Sequence, residues 1–423
     1  MRKEISKFRI LICLLVICYS LLAAPPAHAK VYIDVTSPGV RKLPIAIQDF
    51  TGGKDMSDII KDDLNFTGLF TCIDPAAQIE RPDQPFQPAG WMGIGVEFVV
   101  KGKVVSTDRG LSVTVSAYDV SDGKEILRKE YASSQSLMRL VSHSIANDVY
   151  AVLTGQQGIF RTKIAFIGEK GGKREIYLMD WDGRRMQGLK VTGSILLIPH
   201  WASDKSKLLY SAERYRQWGL YILDMNTMKE RLIVMLRGLN IAGNFFPGNR
   251  EFIFTSSKDG SPDIYVADAV SVMGRKIISS PWIDVSPSVS ADGSSIIFVS
   301  NRSGAPQLYI ADKDGNGTRR LTFQGSYNTA PAWSPLGDRI VYTSMISGKN
   351  QIFTIKPDGT GLMQLTDRGN NEDPSFSPDG RYLVFTSNRD GTKGVYIMRS
   401  NGEGLMRITP KSLPASRASW SPR

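Results

Sequence analysis

Cysteine, histidine and long apolar segments are all scarce in this chain of 423 residues, which has three cysteines and three histidines. Cys13 and Cys18 lie within the first 29 residues, so removal of that segment would leave Cys72 with no cysteine to pair with inside the chain. Packing, rather than disulfides, must then stabilise the fold. The apolar run Ile10–Ala24 is shorter than the roughly 20 residues that cross a bilayer.

The first 29 residues have the three parts of a secretory signal peptide. Basic side chains precede the apolar run, and the small-residue triplet Ala27–Ala29 follows it. We therefore expect cleavage after Ala29 and an exported protein. A lipoprotein signal would need a small residue before its cysteine, whereas Ile17 precedes Cys18.

Neither nucleic-acid binding nor catalysis has a recognisable motif in this sequence. The formal net charge is +11, but no run of five basic residues occurs, and aromatic residues do not alternate with basic ones. The Gly-x-Ser-x-Gly, HExxH and paired-cysteine patterns are all missing. His143 falls on a predicted helix and His200 beside a predicted strand, so we expect no nucleophile–base pair between them. The sequence predicts no enzyme activity, no metal site and no cofactor.

A repeat of about 44 residues dominates the second part of the chain. An aromatic residue returns at an almost constant spacing, and so does a bulky residue on another strand of the same unit. The aromatic residues are Tyr177, Tyr221, Tyr265, Tyr309, Phe353 and Tyr396. The bulky residues are Trp201, Phe245, Val289, Trp333, Phe376 and Trp420. Six units of this length are typical of propeller blades.

Turn-forming dipeptides separate the short strands within these units. Asp182-Gly183, Asp314-Gly315 and Asp358-Gly359 occupy equivalent positions, as expected for tight turns with a positive φ at glycine. A helical solenoid would instead show apolar residues at a spacing of 3.6 and few such turns. The predicted fold is an α/β N-terminal domain, with a mixed sheet and two helices, followed by an all-β six-bladed β-propeller.

The two ends of the array predict how the ring closes. The chain stops three residues after Trp420, while the strand at Lys163–Gly168 has no innermost strand before it. We expect the last segment, Arg417–Trp420, to pair with Lys163–Gly168 and complete the first blade. Closure of this kind removes open sheet edges, which otherwise pair with other chains. The predicted divisions are 1–29 for the signal peptide, 30–158 for the α/β domain and 159–423 for the propeller.

Residues 30–158 lack the repeat and combine helix and strand patterns. Strands are predicted over Lys42–Ile47, Phe98–Val105, Leu111–Val120 and Glu125–Tyr131. Helices are predicted over Met56–Asn65 and Leu137–Leu153, where apolar residues recur at helical spacing. The proline-rich stretch Pro75–Pro88 is predicted to be a loop.

These features together resemble the TolB family of the Tol-Pal envelope system. The resemblance rests on Leu43–Ile47, the helix that ends at Val149–Gly155, the junction Phe160–Phe166 and the Trp-Ser-Pro turns of the blades. It implies a monomeric periplasmic scaffold, peripheral to the envelope membranes, that binds the lipoprotein Pal at the propeller mouth and TolA through the mature N-terminus. It also implies a role in outer-membrane integrity and cell division, and recognition by some colicins.

The loops that lead into the innermost strands should converge on one mouth of the channel. We predict that a partner binds there through apolar, amide and charged side chains, with Tyr327 and Arg417 as anchors. The alternative for each position is that it only stabilises a turn. The predicted partner-binding residues are Asn240, Ile241, Ala242, Asp284, Val285, Tyr327, Asn328, Thr329, Ala330, Asn371, Glu372, Asp373 and Arg417.

Two further functions remain open: a propeller that regulates an envelope hydrolase on a separate chain, and a propeller that binds carbohydrate. Carbohydrate binding would need aromatic platforms, and the predicted mouth has one tyrosine and no tryptophan, which favours a protein partner.

The segment Lys30–Val40 has no helical period and precedes the first strand. We expect it to switch between free and docked states and so to influence partner binding. The residues assigned to this switch are Val31, Tyr32, Ile33, Asp34 and Val35.

Overall fold

The computed structural model describes residues 41–108, 110–271 and 274–423. The predicted signal peptide and the switch segment Lys30–Val40 lie outside these residues. Contacts divide the chain into two compact units. Among the described residues, the first unit contains residues 41–65 and Leu69–Gln157, and the second contains Phe66–Gly68 and Gly158–Arg423.

The first unit is built on a mixed five-stranded sheet. Strand β1 (Leu43–Ile47) runs parallel to β2 (Phe70–Cys72) and β3 (Phe98–Thr107), whereas β3, β4 (Gly110–Asp119) and β5 (Glu125–Ser133) are antiparallel. The strand order is β2-β1-β3-β4-β5. Because β1 has a parallel neighbour on each side, its apolar sequence is buried along almost its whole length.

Three α-helices accompany this sheet: α1 (Lys54–Phe66), α2 (Pro88–Gly93) and α3 (Met138–Thr154). Helix α3 contacts β4 and β5 and buries apolar residues at helical spacing, among them Ile145 and Val149. It ends at Gly155, whose left-handed φ of 69° lets its N–H donate to the Ala151 carbonyl at 2.8 Å. In the part of the chain that the structure describes, no helix has the length and apolar content that a membrane crossing requires.

The predicted mixed sheet and its two longer helices are confirmed, with shifts of one to a few residues at their ends. The sequence did not reveal β2, because three residues are too few to show alternation. The prediction that Pro75–Pro88 is only a loop is wrong at both ends, since Pro75–Ala77 forms a 3-10 turn and Pro88 begins α2. Proline is favoured in a first helical turn because its missing N–H would have no partner there.

The second unit is a six-bladed β-propeller, as predicted. The strands of each blade are antiparallel and are named in order from the innermost outward. Blade one consists of β30 (Ala415–Trp420), β6 (Lys163–Lys170), β7 (Lys173–Asp180) and β8 (Gln187–Gly193). Blade two consists of β9 (Ile195–Leu196), β10 (His200–Trp201), β11 (Lys207–Arg214), β12 (Gln217–Asp224) and β13 (Glu230–Val234).

The other four blades follow in chain order. Blade three consists of β14 (Asn240–Phe245), β15 (Glu251–Ser256), β16 (Asp263–Asp268) and β17 (Gly274–Ile278). Blade four consists of β18 (Asp284–Val289), β19 (Ser295–Ser300), β20 (Gln307–Asp312) and β21 (Arg319–Arg320). Blade five consists of β22 (Asn328–Trp333), β23 (Ile340–Ile346), β24 (Lys349–Ile355) and β25 (Met363–Gln364). Blade six consists of β26 (Asn371–Phe376), β27 (Tyr382–Ser387), β28 (Gly394–Arg399) and β29 (Met406–Arg407).

The core of the propeller lies between neighbouring blades. Leu209 and Leu220 of blade two, for example, share one apolar cluster with Phe252 and Phe254 of blade three. The predicted Asp-Gly turns also contact the previous blade. A Cβ atom on Gly315, which has a φ of 90°, would lie 2.0 Å from the Ile277 carbonyl oxygen, so this turn requires glycine for both its conformation and its packing.

The ring closes through the pairing of β30 with β6, as predicted. The register places Ala415 opposite Gly168 and Trp420 opposite Ile164. The Trp420 side chain is 5% exposed, and its Nε1 donates to Thr162 Oγ1 at 2.8 Å. The last residues of the chain therefore complete the sheet of blade one.

Substitution of Trp420→Ala should lower the free energy of unfolding of the propeller by about 3 to 5 kcal/mol, because it removes a buried indole from the closing strand. Urea unfolding followed by circular dichroism measures this loss. Trp282→Ala is the matched control, since Trp282 is 46% exposed, and it should change the stability by no more than about 0.5 kcal/mol. Equal losses for the two variants would contradict a special role for closure.

Candidate partner-binding site

A channel of about 660 Å³ runs along the six innermost strands of the propeller. Each innermost strand follows a loop from the outermost strand of the previous blade, and we call the end of the channel that these inter-blade loops surround the upper mouth. One residue from each blade lines the channel just below that mouth. These residues are Ile198, Ala242, Ser286, Ala330, Asp373 and Arg417.

The innermost strands carry β-bulges at this level. The pairing register shifts there in blades three to six and in blade one. Ser286, Ala330, Asp373 and Arg417 have φ values of 52°, 49°, 54° and 53°. The left-handed conformation is unfavourable for residues with a side chain, so the surrounding blades must hold it in place. The Arg417 N–H, for example, donates to Thr386 Oγ1 of blade six at 2.9 Å.

The predicted mouth residues therefore lie mostly within strands rather than on loops. Ile241, Ala242, Ala330, Asp373 and Arg417 line the channel. Thr329 and Glu372 are half-buried next to them.

Val285 differs from these residues because it packs against the apolar cluster between blades four and five. The Val285 side chain thus lies between two blades and not on the open surface where the sequence placed it. A strand alternates the directions of successive side chains, so neighbours of a channel-lining residue point toward the adjoining blade.

Four of the predicted residues are fully buried and stabilise the inter-blade loops. They are Asn240, Asp284, Asn328 and Asn371, each with 0% exposure. The Asn371 Nδ2 donates to Gln351 Oε1 at 2.9 Å and to the Arg368 carbonyl at 3.0 Å, and Asn328 makes the equivalent pair with Gln307 and Gln324. These side chains bond inside the propeller in this structure and present no exposed surface there, so their contact with a partner stays a prediction.

The residue directly before each buried position forms the rim of the upper mouth. These rim residues are Ile195, Leu239, Ile283, Tyr327, Asn370 and Pro414. Leu239, Ile283 and Tyr327 are 37%, 46% and 42% exposed. The sequence analysis selected Tyr327 and missed the other two, although the 44-residue spacing from Tyr327 leads directly to them.

Charged groups gather where blades six and one meet at the upper mouth. A side pocket of about 310 Å³ there is lined by residues that include Glu372, Asp373, Lys393 and Arg417. Glu372 forms an ion pair with Lys393 at 3.2 Å, and Arg417 Nη1 donates to the Leu196 carbonyl at 2.5 Å. Loss of solvent raises the pKa of the Asp373 carboxyl to about 6, although the nearby Arg417 acts in the opposite direction.

His200 lies further along the channel wall, 3.3 Å from the Asn244 amide nitrogen. Burial lowers the pKa of this imidazole to about 4, so it is neutral at ordinary pH. The half-buried indoles of Trp201 and Trp333 also line the channel. The channel thus joins apolar, aromatic and polar groups in a preformed concave surface, which is typical of a binding site.

Comparison with known proteins decides the family. Residues 150–423 match the family model described as the TolB beta propeller domain, and residues 31–126 match the TolB amino-terminal domain. The chain belongs to the TolB family.

Curated TolB relatives agree with this assignment. The "Tol-Pal system protein TolB" of Desulfosudis oleivorans is 34% identical over 245 residues, which are 54% of this chain and 56% of the relative. The protein of the same name from Bordetella avium is 30% identical over 236 residues, which are 55% of this chain and 54% of the relative. The matched part of the chain thus spans about half the length of these curated relatives.

A solved TolB structure shares the fold over nearly the whole chain. The crystal structure of TolB from Acinetobacter baumannii has a TM-score of 0.82 and 24% identity, and the match covers 93% of this chain and 100% of the other. The likeness therefore extends through both the α/β unit and the propeller.

Substitution of Asn371→Ala should lower the free energy of unfolding by about 1 to 3 kcal/mol, because buried hydrogen-bonding groups lose their partner. Urea unfolding provides the measurement. The exposed Asn226 offers the control Asn226→Ala, for which we expect a change within about 0.5 kcal/mol. A loss no larger than that of the control would show that the buried amide does not stabilise the inter-blade loop.

Proposed function

We propose that this TolB-family protein is a non-catalytic periplasmic scaffold whose upper mouth binds a Pal-like lipoprotein. The observation that carries the proposal is the preformed channel, to which each of the six blades contributes a lining residue just below the upper mouth. Family membership supports the choice of partner, since the curated relatives are named as Tol-Pal system proteins. In this role the protein would help to maintain outer-membrane integrity and support envelope constriction during division.

The architecture suits binding because little has to be ordered when a partner arrives. Backbone hydrogen bonds fix the rim: Ser257 N donates to the Leu239 carbonyl at 3.0 Å, and Met345 N donates to the Tyr327 carbonyl at 3.0 Å. Side chains held in this way lose less conformational entropy on association than side chains on a mobile loop. A rigid concave surface can therefore reach useful affinity without a large contact area.

The substitutions Glu372→Lys and Thr329→Arg should each weaken binding of the soluble lipoprotein domain by about tenfold or more. Each places a long basic side chain where the mouth now has a carboxylate or a small hydroxyl group, which opposes close approach of the partner. Isothermal titration calorimetry measures the dissociation constants.

The matched control for charge reversal is Glu251→Lys. Glu251 is exposed and begins β15, at the end of blade three opposite the upper mouth. We expect this variant to bind as the unsubstituted protein does. Unchanged affinity in the two mouth variants would contradict binding at the upper mouth.

A second partner, a TolA-like protein, is proposed to bind the mature N-terminal segment Lys30–Val40. Deletion of this segment should abolish TolA binding and change the affinity for the lipoprotein, because the segment is proposed to alternate between free and docked states. Surface plasmon resonance with each partner tests both effects. Replacement of Val31–Val35 by an equally long glycine–serine sequence separates the effect of composition from that of length, and a deletion that changes neither affinity would rule the switch out.

Carbohydrate binding is the second candidate, and the indoles of Trp201 and Trp333 in the channel wall favour it. Aromatic faces are the groups on which sugar rings stack, but these two indoles are half-buried in the innermost strands. Co-sedimentation with purified peptidoglycan distinguishes the two functions, since the protein scaffold should remain in the supernatant unless its lipoprotein partner is added.

A further inference from the structure

The upper mouth is not chemically symmetric, although the six blades repeat the same fold. On blades two to five the rim residues are Ile195, Leu239, Ile283 and Tyr327. On blades six and one the equivalent residues are Asn370 and Pro414. At the first channel-lining level the residues of blades two to five are uncharged, and those of blades six and one, Asp373 and Arg417, are charged.

More exposed apolar side chains extend the apolar half outward along the inter-blade loops. They are Met235, Leu236, Trp282 and Phe323, which are between 38% and 74% exposed. With Leu239, Ile283 and Tyr327 they form an arc that lies on the loops before blades three, four and five. Large exposed apolar side chains on three neighbouring loops are typical of a site of interaction.

The arc is held rigidly. The backbone of Ile283 is restrained because its N–H donates to Asn301 Oδ1 at 2.9 Å, while Asn301 N donates to the Ile283 carbonyl at 3.3 Å. Leu239 is fixed in the same way by Ser257. Apolar side chains on a restrained backbone at a mouth are suited to be the energetic centre of an interface.

The other half of the mouth contains one carboxylate whose charge is poorly compensated. Glu372 accepts hydrogen bonds from both Asn350 and Lys393. Asp373, by contrast, accepts no hydrogen bond from the residues that the structure describes, and it lines both the channel and the side pocket. A basic side chain from outside would supply the missing donor.

We propose that the upper mouth binds its protein partner in a single orientation, with an apolar side-chain cluster of the partner on Leu239, Ile283 and Tyr327 and a basic side chain of the partner at Asp373. The partner epitope must therefore present apolar groups next to a lysine or arginine. This inference rests on the proposed function and adds the chemistry and orientation of the epitope.

The division of the mouth explains why one orientation is favoured. Rotation of the partner around the channel axis would place its basic side chain on the apolar arc and its apolar cluster beside Glu372 and Asp373. The partner's cation and the Asp373 carboxylate would then both lose water without gaining a partner, which is unfavourable. The difference between the two halves of the upper mouth therefore specifies one orientation of the partner.

The apolar half is tested with Leu239→Ser and Ile283→Ser. Each should weaken binding of the soluble Pal-like domain by about tenfold or more, as measured by isothermal titration calorimetry. Leu336→Ser is the matched control, because Leu336 is 64% exposed and lies on the turn after β22, at the opposite end of that innermost strand. The control should bind as the unsubstituted protein does.

The charged half is tested by the pH dependence of affinity. The Asp373 carboxyl has a raised pKa of about 6, so it is ionised above pH 6 and protonated below it. A partner cation favours the ionised form, and affinity should therefore be about tenfold weaker at pH 5 than at pH 7. Asp373→Asn should bind more weakly at pH 7 and lose most of this dependence.

Other ionisable groups around Asp373 do not produce the same response. Glu372, Lys393 and Arg417 face it, and Glu169 and Arg174 lie across the side pocket as a pair 3.3 Å apart. The Asn variant leaves all five in place, so a pH dependence that persists in Asp373→Asn would overturn the role of Asp373.

The outcomes separate this inference from the proposed function. Suppose that the unsubstituted protein binds the lipoprotein domain and that Leu239→Ser and Ile283→Ser bind it equally well. In that case the proposed orientation of the partner is wrong, and the proposed function stands. If the unsubstituted protein does not bind the lipoprotein domain, the proposed function is wrong and the inference is overturned with it. Weakened binding in both apolar variants, together with loss of pH dependence in Asp373→Asn, supports the inference.

Discussion

Pairing of the last strand with the first strand of the propeller is the constraint on which the rest of this unit depends. Blades pack only on their neighbours, so an open array would leave one sheet edge and one apolar blade face uncovered at each end. The pairing of β30 with β6 joins residues about 250 positions apart. Because the channel needs six innermost strands around it, the upper mouth exists only in the closed ring.

Closure also explains why polar groups are buried at the mouth. Each inter-blade loop has to turn from the outside of one blade to the channel of the next, which leaves backbone carbonyl groups without strand partners. Asn328 and Asn371 satisfy such groups from the start of an innermost strand, and Gln307 and Gln351 complete the same arrangement one strand away. The residues that look most like a polar binding surface in the sequence are therefore part of the framework.

A repeating fold gives a binding site its shape, and departures from the repeat give it chemistry. The bulges in the innermost strands recur around the ring, whereas the side chains just below the upper mouth change from uncharged on blades two to five to charged on blades six and one. A six-bladed propeller by itself is compatible with many functions. The proposed choice of partner therefore rests on the few positions where the blades differ.

The amino-acid sequence by itself determined the number of blades, the closing strand and the mixed sheet of the first unit. These features follow from periodicity, turn dipeptides and alternation, which are local properties of the chain. Only the tertiary structure decided which of the predicted mouth residues line the channel and which are buried between the blades. Val285 and Asn371 look similar to Ala330 and Asp373 in spacing, yet the first two pack inside the propeller and the last two line the channel. Bulges shift the alternation of side chains within each innermost strand, and the neighbouring blades determine which polar groups are already satisfied, so neither property is encoded in the spacing alone.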